Sequence, residues 1–373
     1  MPAPLTASFS RIVGYIGRGH VAPPRSPRSG ARCGGPVALP TKCGPPHSQD
    51  FNKRNKSKNV FLSIKLAVVE TGIRINIRRR EDIMVTHSTS SARSAAVTGA
   101  GGGLGREVAL QLGRMGYRVF GTARNSKDAA EVEAASAGAV NMTICDVTDE
   151  SAVEAWTRSV STEVGPGGLD VLVSNAGILT VGPMEAIPLD RVRYAFEVNV
   201  FGSLAVINAF LPALRAARGR IVQVGSMTGS FAVPFAGPAC ASKAALESFA
   251  AAYRAELKPF GVTFVMARPG NMATGGPAKA TSDLQEAAES LTAEQRELYG
   301  TEFGAAAAAL DNMQQHGLDV ASAANYVIEA IQQTPAPIGV AVGEEAANVL
   351  KLVREKSDAE LDAMRREFLG LDA

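Results

Sequence analysis

The stretch Val97-Thr98-Gly99-Ala100-Gly101-Gly102-Gly103-Leu104-Gly105 has the residue types and spacing of an anion site. An apolar run at 95–97 leads into it, and a helical pattern over 106–115 leads out. The first N–H groups of a helix have no partner within the helix, and the macrodipole favours negative charge there. Glycine is needed where a side chain would block a pyrophosphate or clash at positive φ. The spacing is T-G-x-x-x-G-x-G, through Thr98, Gly99, Gly103 and Gly105. It is not G-x-G-x-x-G, because Leu104 and Arg106 break that pattern in both registers. Alone, such a loop also fits a tight turn in a glycine-rich chain. The residues downstream decide between the two.

Together those residues resemble the short-chain dehydrogenase/reductase family. Thr98-Gly99-x-x-x-Gly103-x-Gly105 is similar to its cofactor loop, and Cys145-Asp146-Val147 to the Asp-Val pair at the adenine end. Ser174-Asn175-Ala176-Gly177 resembles its N-N-A-G turn, with Ser for the first Asn. Glu197-Val198-Asn199-Val200 resembles the central-helix segment that carries the catalytic Asn, and Ser226 stands where the family places its catalytic Ser. Pro269-Gly270-x-x-x-Thr274 is similar to the segment that covers the nicotinamide. The likeness runs from Ser94 to Leu371 with the motifs in family order, and it is to hydroxysteroid- and retinol-dehydrogenase-like members.

One position departs. The family signature is Tyr-x-x-x-Lys, and the matching residues are Ala239-Cys240-Ala241-Ser242-Lys243. The flanks Phe235-Ala236-Gly237-Pro238 and Ala244-Ala245-Leu246-Glu247 fit without a gap, and no tyrosine lies between Ser226 and Lys243. The acid/base phenol is missing. The resemblance implies that Lys243 binds the nicotinamide ribose, Ser226 holds the substrate oxygen and Asn199 supports a water relay, around a hole at Ala239. A spacing of four puts 239 and 243 on one helix face. Cys240 lies about 100° further round the helix, which makes it a small buried residue and no substitute. Tyr299 is a candidate substitute if it swings inward, and water beside Ser226 and Lys243 is another. Loss of a general acid–base group costs about 10²–10⁴-fold in rate, which weakens catalysis without ending it.

Cofactor choice turns on Ala123 and Arg124. An acid after the second strand would bind the ribose 2′-OH of NAD and repel a 2′-phosphate. Ala123 takes that place and Arg124 follows, a guanidinium suited to phosphate, so NADP(H) is favoured over NAD(H).

These residues need a frame that brings them together. Apolar, β-branched runs fall at 117–122, 140–145, 171–174, 220–225, 262–267 and 338–342, with helical patterns at 151–164, 189–216, 239–258 and 320–332. That alternation implies right-handed βαβ crossovers and a parallel sheet covered on both faces. With the resemblance, the expected fold is α/β: one doubly wound Rossmann domain with a seven-stranded parallel sheet, its ligand beyond the strands' C-terminal ends. Residues 274–317 are too long for a plain connection and are expected to form a helical lid, with a C-terminal helix after it. Met227, Phe231, Val233, Pro234 and Phe235, and the segment 179–184, read either as an apolar pocket lining or as packing under the lid.

Charge divides the chain at about residue 83. Residues 1–83 hold fifteen Lys and Arg against four Asp and Glu, whereas 84–373 hold twenty-three against thirty-two. An acidic body argues against a nucleic-acid partner. Nine prolines fall in the first 46 residues, so 1–83 reads as a disordered basic arm. It is also the place of a transit peptide, or of residues upstream of a true start at Met84; the expected location is cytoplasmic in the absence of such a signal. Cys33, Cys43 and His47 are too irregular for a metal site, and none is expected. No run reaches the roughly 18 apolar residues of a membrane span. Three functions compete: a weakened or altered oxidoreductase on a lipophilic secondary alcohol or ketone, a non-catalytic dinucleotide-binding protein, and an engineered or damaged copy of an ordinary reductase. The family commonly forms homo-oligomers through its two central helices, here 189–216 and 239–258.

Overall fold

The computed structural model describes residues 92–273 and 277–371. The arm at 1–83 and Thr274 lie outside the described residues. In chain order the elements are β1 (Ser94–Val97), α1 (Gly103–Arg114), β2 (Arg118–Ala123), α2 (Ser126–Ala135), β3 (Val140–Ile144), α3 (Glu150–Val164) and β4 (Val171–Ser174). Then come α4 (Leu189–Phe196), a π-helical turn (Glu197–Gly202), α5 (Ser203–Ala217), β5 (Arg220–Val224), α6 (Gly237–Leu257), β6 (Thr263–Pro269) and β7 (Met272–Ala273). The chain continues through α7 (Pro277–Glu289), α8 (Ala293–Gln315), β8 (Leu318–Asp319), α9 (Val320–Gln332), β9 (Gly339–Val342), α10 (Glu344–Glu355) and α11 (Asp358–Phe368).

Seven strands form a parallel sheet in the order β3-β2-β1-β4-β5-β6-β9. The order reverses beside β1, whose partners are β2 and β4, so a crevice opens past the C-terminal ends of β1 and β4. Both faces are covered, which is why β1 and β4 bury all their residues and read as continuous apolar runs. Two cores flank the sheet. One packs α1 and α9 through Val108, Leu112, Val327 and Ile331. The other packs α3, α5 and α6 through Trp156, Phe210, Leu214 and Leu246, with Trp156 edge-on to Phe210 at 5.0 Å. The doubly wound, seven-stranded fold stands as the sequence implies.

Two expectations need correction. The long central helix is continuous, but it widens into the π turn at Glu197–Gly202. Leu189–Ala217 is also long and apolar enough, by length and composition, to cross a membrane. Asn199, Ser203 and Asn208 interrupt its apolar residues, so a search for an unbroken apolar run passes over it. Its Val206, Ile207, Phe210 and Leu214 are packed into the core.

The lid region is helical, in α7 and α8, and a two-stranded ladder of β7 with β8 ties its two ends. Thr292 caps α8, accepting from the Gln295 N–H while Gln295 reaches back to the Thr292 N–H. A third core joins the lid to the segments after β4 and β5: Phe303 sits 5.4 Å from Phe235, and Leu284 and Leu291 join Val181, Met227, Phe231 and Val233.

Candidate active site

Past the ends of β1 and β4, a cleft of about 490 Å³ runs from the glycine loop to α6 and the end of β6. Its loop end is built without slack. Gly99 and Gly103 take positive φ, +64° and +52°. A Cβ on Gly105 would lie 2.4 Å from both the Gly99 carbonyl oxygen and Asn175 Nδ2, so only glycine lets α1 approach this closely. Thr98 Oγ1 accepts from the N–H groups of Asn175 (2.8 Å) and Ala176 (3.0 Å), stitching the loop to the turn after β4. Asn175 Nδ2 returns the tie, donating to the Thr98 carbonyl at 3.0 Å.

The N-terminus of α1 has no capping side chain and no acid in its first turn, and a Cβ on the capping Gly102 would meet open space. Its orphan N–H groups therefore face the cleft, which suits a pyrophosphate. Leu104, Asp146, Val147, Asn175, Ala176 and Gly177 line the same cleft. Asp146 is held by Thr148, whose N–H and Oγ1 donate to Oδ1 at 2.9 and 2.8 Å. Arg124 stands exposed at the rim with no ion-pair partner among the described residues. Asp128 lines the rim too, and it accepts from Asn125 Nδ2 at 2.8 Å.

The opposite end brings Ser226, Ala239 and Lys243 into that one cleft, beside Pro269 and Gly270. Ser226 Oγ accepts from the Thr228 N–H (3.1 Å) and Thr228 Oγ1 (2.9 Å), and its own proton reaches the Pro269 carbonyl only at 3.5 Å. That donor is nearly unspent. Lys243 donates to the Val224 carbonyl at 3.0 Å, leaving two ammonium protons uncommitted, and burial pulls its pKa down to about 8. Four residues on, Glu247 accepts two hydrogen bonds at 2.7 Å from the Arg268 guanidinium of β6.

Asn199 is drawn in but does not line the cleft. Its side chain is fully buried: Oδ1 accepts from the Ile178 N–H at 2.7 Å, while Nδ2 donates to the Ile178 carbonyl (3.0 Å) and Ser242 Oγ (2.9 Å). It locks the π turn to the β4 turn and to α6. Its main-chain carbonyl accepts from Ser203 Oγ at 2.9 Å, the helical i−4 position.

Three further expectations are corrected or completed. Tyr299 does not line the cleft; it lies by Glu185, where burial, then the carboxylate, raises its pKa. Met227, Phe231 and Val233 are buried in the lid core and Phe235 packs against it, whereas Ile178, Leu179 and Met272 supply apolar cleft wall. Cys240 is buried, as helix geometry implies. Sequence reasoning missed Thr228 and Tyr194, which also line the cleft. Neither sits in a recognisable motif; Thr228 was signalled only by its place two residues after Ser226.

The family model described as short chain dehydrogenase matches residues 93–285, more than half of the chain. The chain belongs to the short-chain dehydrogenase family. Among its relatives, NADPH-dependent 3-dehydrocapnine reductase of Ornithobacterium rhinotracheale is 32% identical over 245 residues, 64% of this chain and 83% of that protein. Retinol dehydrogenase 16 of Mus musculus is 35% identical over 210 residues, 56% of this chain and 66% of that protein. A crystal structure of a short-chain dehydrogenase from Streptomyces avermitilis superposes with a TM-score of 0.61 at 27% identity, covering 76% of this chain and 99% of that one. This short-chain dehydrogenase is thus an oxidoreductase of the alcohol and ketone class by family.

Proposed function

We propose that the protein is an NADP(H)-dependent oxidoreductase of lipophilic secondary alcohols or ketones, with turnover weakened by Ala239. The carrying observation is that Ser226, Lys243 and Ala239 line one cleft with the glycine loop. Arg124 at the adenosine rim supports the 2′-phosphate reading, as does a relative named for NADPH. Ile178, Leu179 and Met272, together with a relative named for retinol, support an apolar substrate.

Bound NADPH supplies a hydride for a carbonyl carbon. The chain's own residues then have two tasks, orienting the carbonyl and delivering a proton to its oxygen. The Ser226 hydroxyl, whose acceptor side is occupied by Thr228, donates to the substrate oxygen. Lys243 is held by Val224 and titrates near 8, so at neutral pH its ammonium is a proton source, passing through water beside the small Ala239 side chain. An ammonium acting through water is less well placed than a phenol in contact, which is the reason for slow turnover.

Ala239→Tyr tests this reading. With NADPH and a panel of lipophilic ketones, the rate rises by about 10²-fold or more. The melting temperature barely moves if the cleft accepts the ring; overpacking a closed site costs about 1–3 kcal/mol. A stable Ala239→Tyr protein that binds NADPH and gains no rate on any carbonyl would favour the non-catalytic binding protein instead.

A further inference from the structure

Between the end of β6 and the start of the lid, Gly270, Asn271 and Met272 run along the cleft wall, and the packing that holds them lies outside the cleft. Asn271 spends three polar groups. Its N–H donates to Glu345 Oε2 at 2.8 Å and its Nδ2 to Glu345 Oε1 at 2.8 Å, so one carboxylate takes two donors from one residue. Its carbonyl accepts from the Leu318 N–H at 2.9 Å. A Cβ on Gly270 would come 2.7 Å from Glu345 Oε2, and one on Gly317 would come 2.6 Å from both C and O of Asn271. Two glycines thus let the carboxylate and the facing chain close on this segment. Glu345 stands in the first turn of α10, directly after β9, and β9 pairs with β6 through Pro269 and Val342. The carboxylate is thereby fixed to the sheet. It does not line the cleft, whereas Gly270 and Met272 on either side of its partner do.

We propose that Glu345 is a positioning residue: through Asn271 it sets the backbone of Gly270 and Met272 against the nicotinamide half of the cofactor. The inference rests on the reading of the cleft as a nicotinamide dinucleotide site. A carboxylate accepting two N–H groups suits this task, because charge-assisted bonds are the stronger ones and the fork fixes both distance and direction. Glutamine offers one acceptor oxygen, so Glu345→Gln turns an N–H toward an N–H and loosens the segment without removing volume.

The experiment compares two ligands on the full chain by titration calorimetry: NADPH, and 2′-phospho-ADP-ribose, which shares the adenosine and pyrophosphate but lacks nicotinamide. In Glu345→Gln, NADPH binds about tenfold more weakly while 2′-phospho-ADP-ribose changes less than about twofold. Asn271→Ala keeps the main-chain N–H bond, covers the case in which Glu345→Gln folds poorly, and gives a smaller loss of the same selectivity. The exposed neighbour variant Glu344→Gln changes neither ligand. Equal losses for the two ligands, or no loss in a folded Glu345→Gln protein, would overturn the positioning role while leaving the cofactor reading intact. An unmodified protein that binds neither ligand would overturn the cofactor reading, and this inference with it.

Discussion

The two ends of the cleft are built to different standards. At the loop end, Thr98 and Asn175 are committed to one another through hydrogen bonds of 2.8–3.0 Å, and Gly105 leaves no room for even a methyl group. At the other end, Ser226 has a proton whose nearest acceptor is 3.5 Å away, Lys243 makes one hydrogen bond, and Ala239 offers the cleft only a methyl group. A network in which every polar group has its partner is rigid and intolerant; one with unspent donors awaits a ligand to complete it. On the proposed reading, holding the adenosine and pyrophosphate and delivering a proton are separate demands, set at opposite ends of one cleft. Variants should divide along the same line.

The most disruptive change is predicted at the rigid end. Gly105→Ala puts a methyl group against the Gly99 backbone, which cannot yield as a side chain would. Titration of NADPH should show affinity reduced by more than about 10²-fold, since helix and loop must separate to admit the atom. Near-normal binding would mean that the loop is less constrained than its geometry.

A smaller effect is expected at the rim. Arg124→Ala should erase most of a preference for NADPH over NADH, by about tenfold, through lost charge-assisted bonds to the 2′-phosphate. The binding of NADH itself should stay the same. If the unmodified protein binds both equally, Arg124 is a solvated surface residue and the dinucleotide choice is open.

The smallest effect concerns stability at the chemical end. Burial lowers the Lys243 pKa from 10.5 to about 8, so the folded protein carries a penalty for the charged form at neutral pH. The folded state releases the proton near 8 and the unfolded state near 10.5, so unmodified protein gains stability as pH rises through that window. Lys243→Met lacks both the penalty and its relief. It should melt a few degrees higher than the unmodified protein at pH 6.5, at about 2–4 °C per kcal/mol, and the margin should shrink by pH 9.5. A margin independent of pH would mean that the ammonium is well solvated in the folded state.

Much of the frame was legible because its signals are local. Each of the seven sheet strands announces itself as a short β-branched or small apolar run, and the glycine loop and the turn at Asn175 carry their own spacing. The π turn at Glu197–Gly202 was not legible, since it depends on Asn199 reaching the Ile178 backbone 21 residues earlier. The role of 227–235 was equally closed to composition, because an apolar side chain lining a pocket and one sealing a lid have the same chemistry. Tyr194 enters the cleft from α4, and no motif in the sequence marks it. The shared face of Ala239 and Lys243, by contrast, was plain from one four-residue interval.

Ala239, Lys243 and Glu247 stand at intervals of four along α6, on one side of the helix. The third of them is forked onto the Arg268 guanidinium of β6. That pair acts as a key in a shaft: it sets the angle at which α6 is turned about its own axis, two turns beyond Ala239. The bearing of residue 239 is thus dictated from further along the helix.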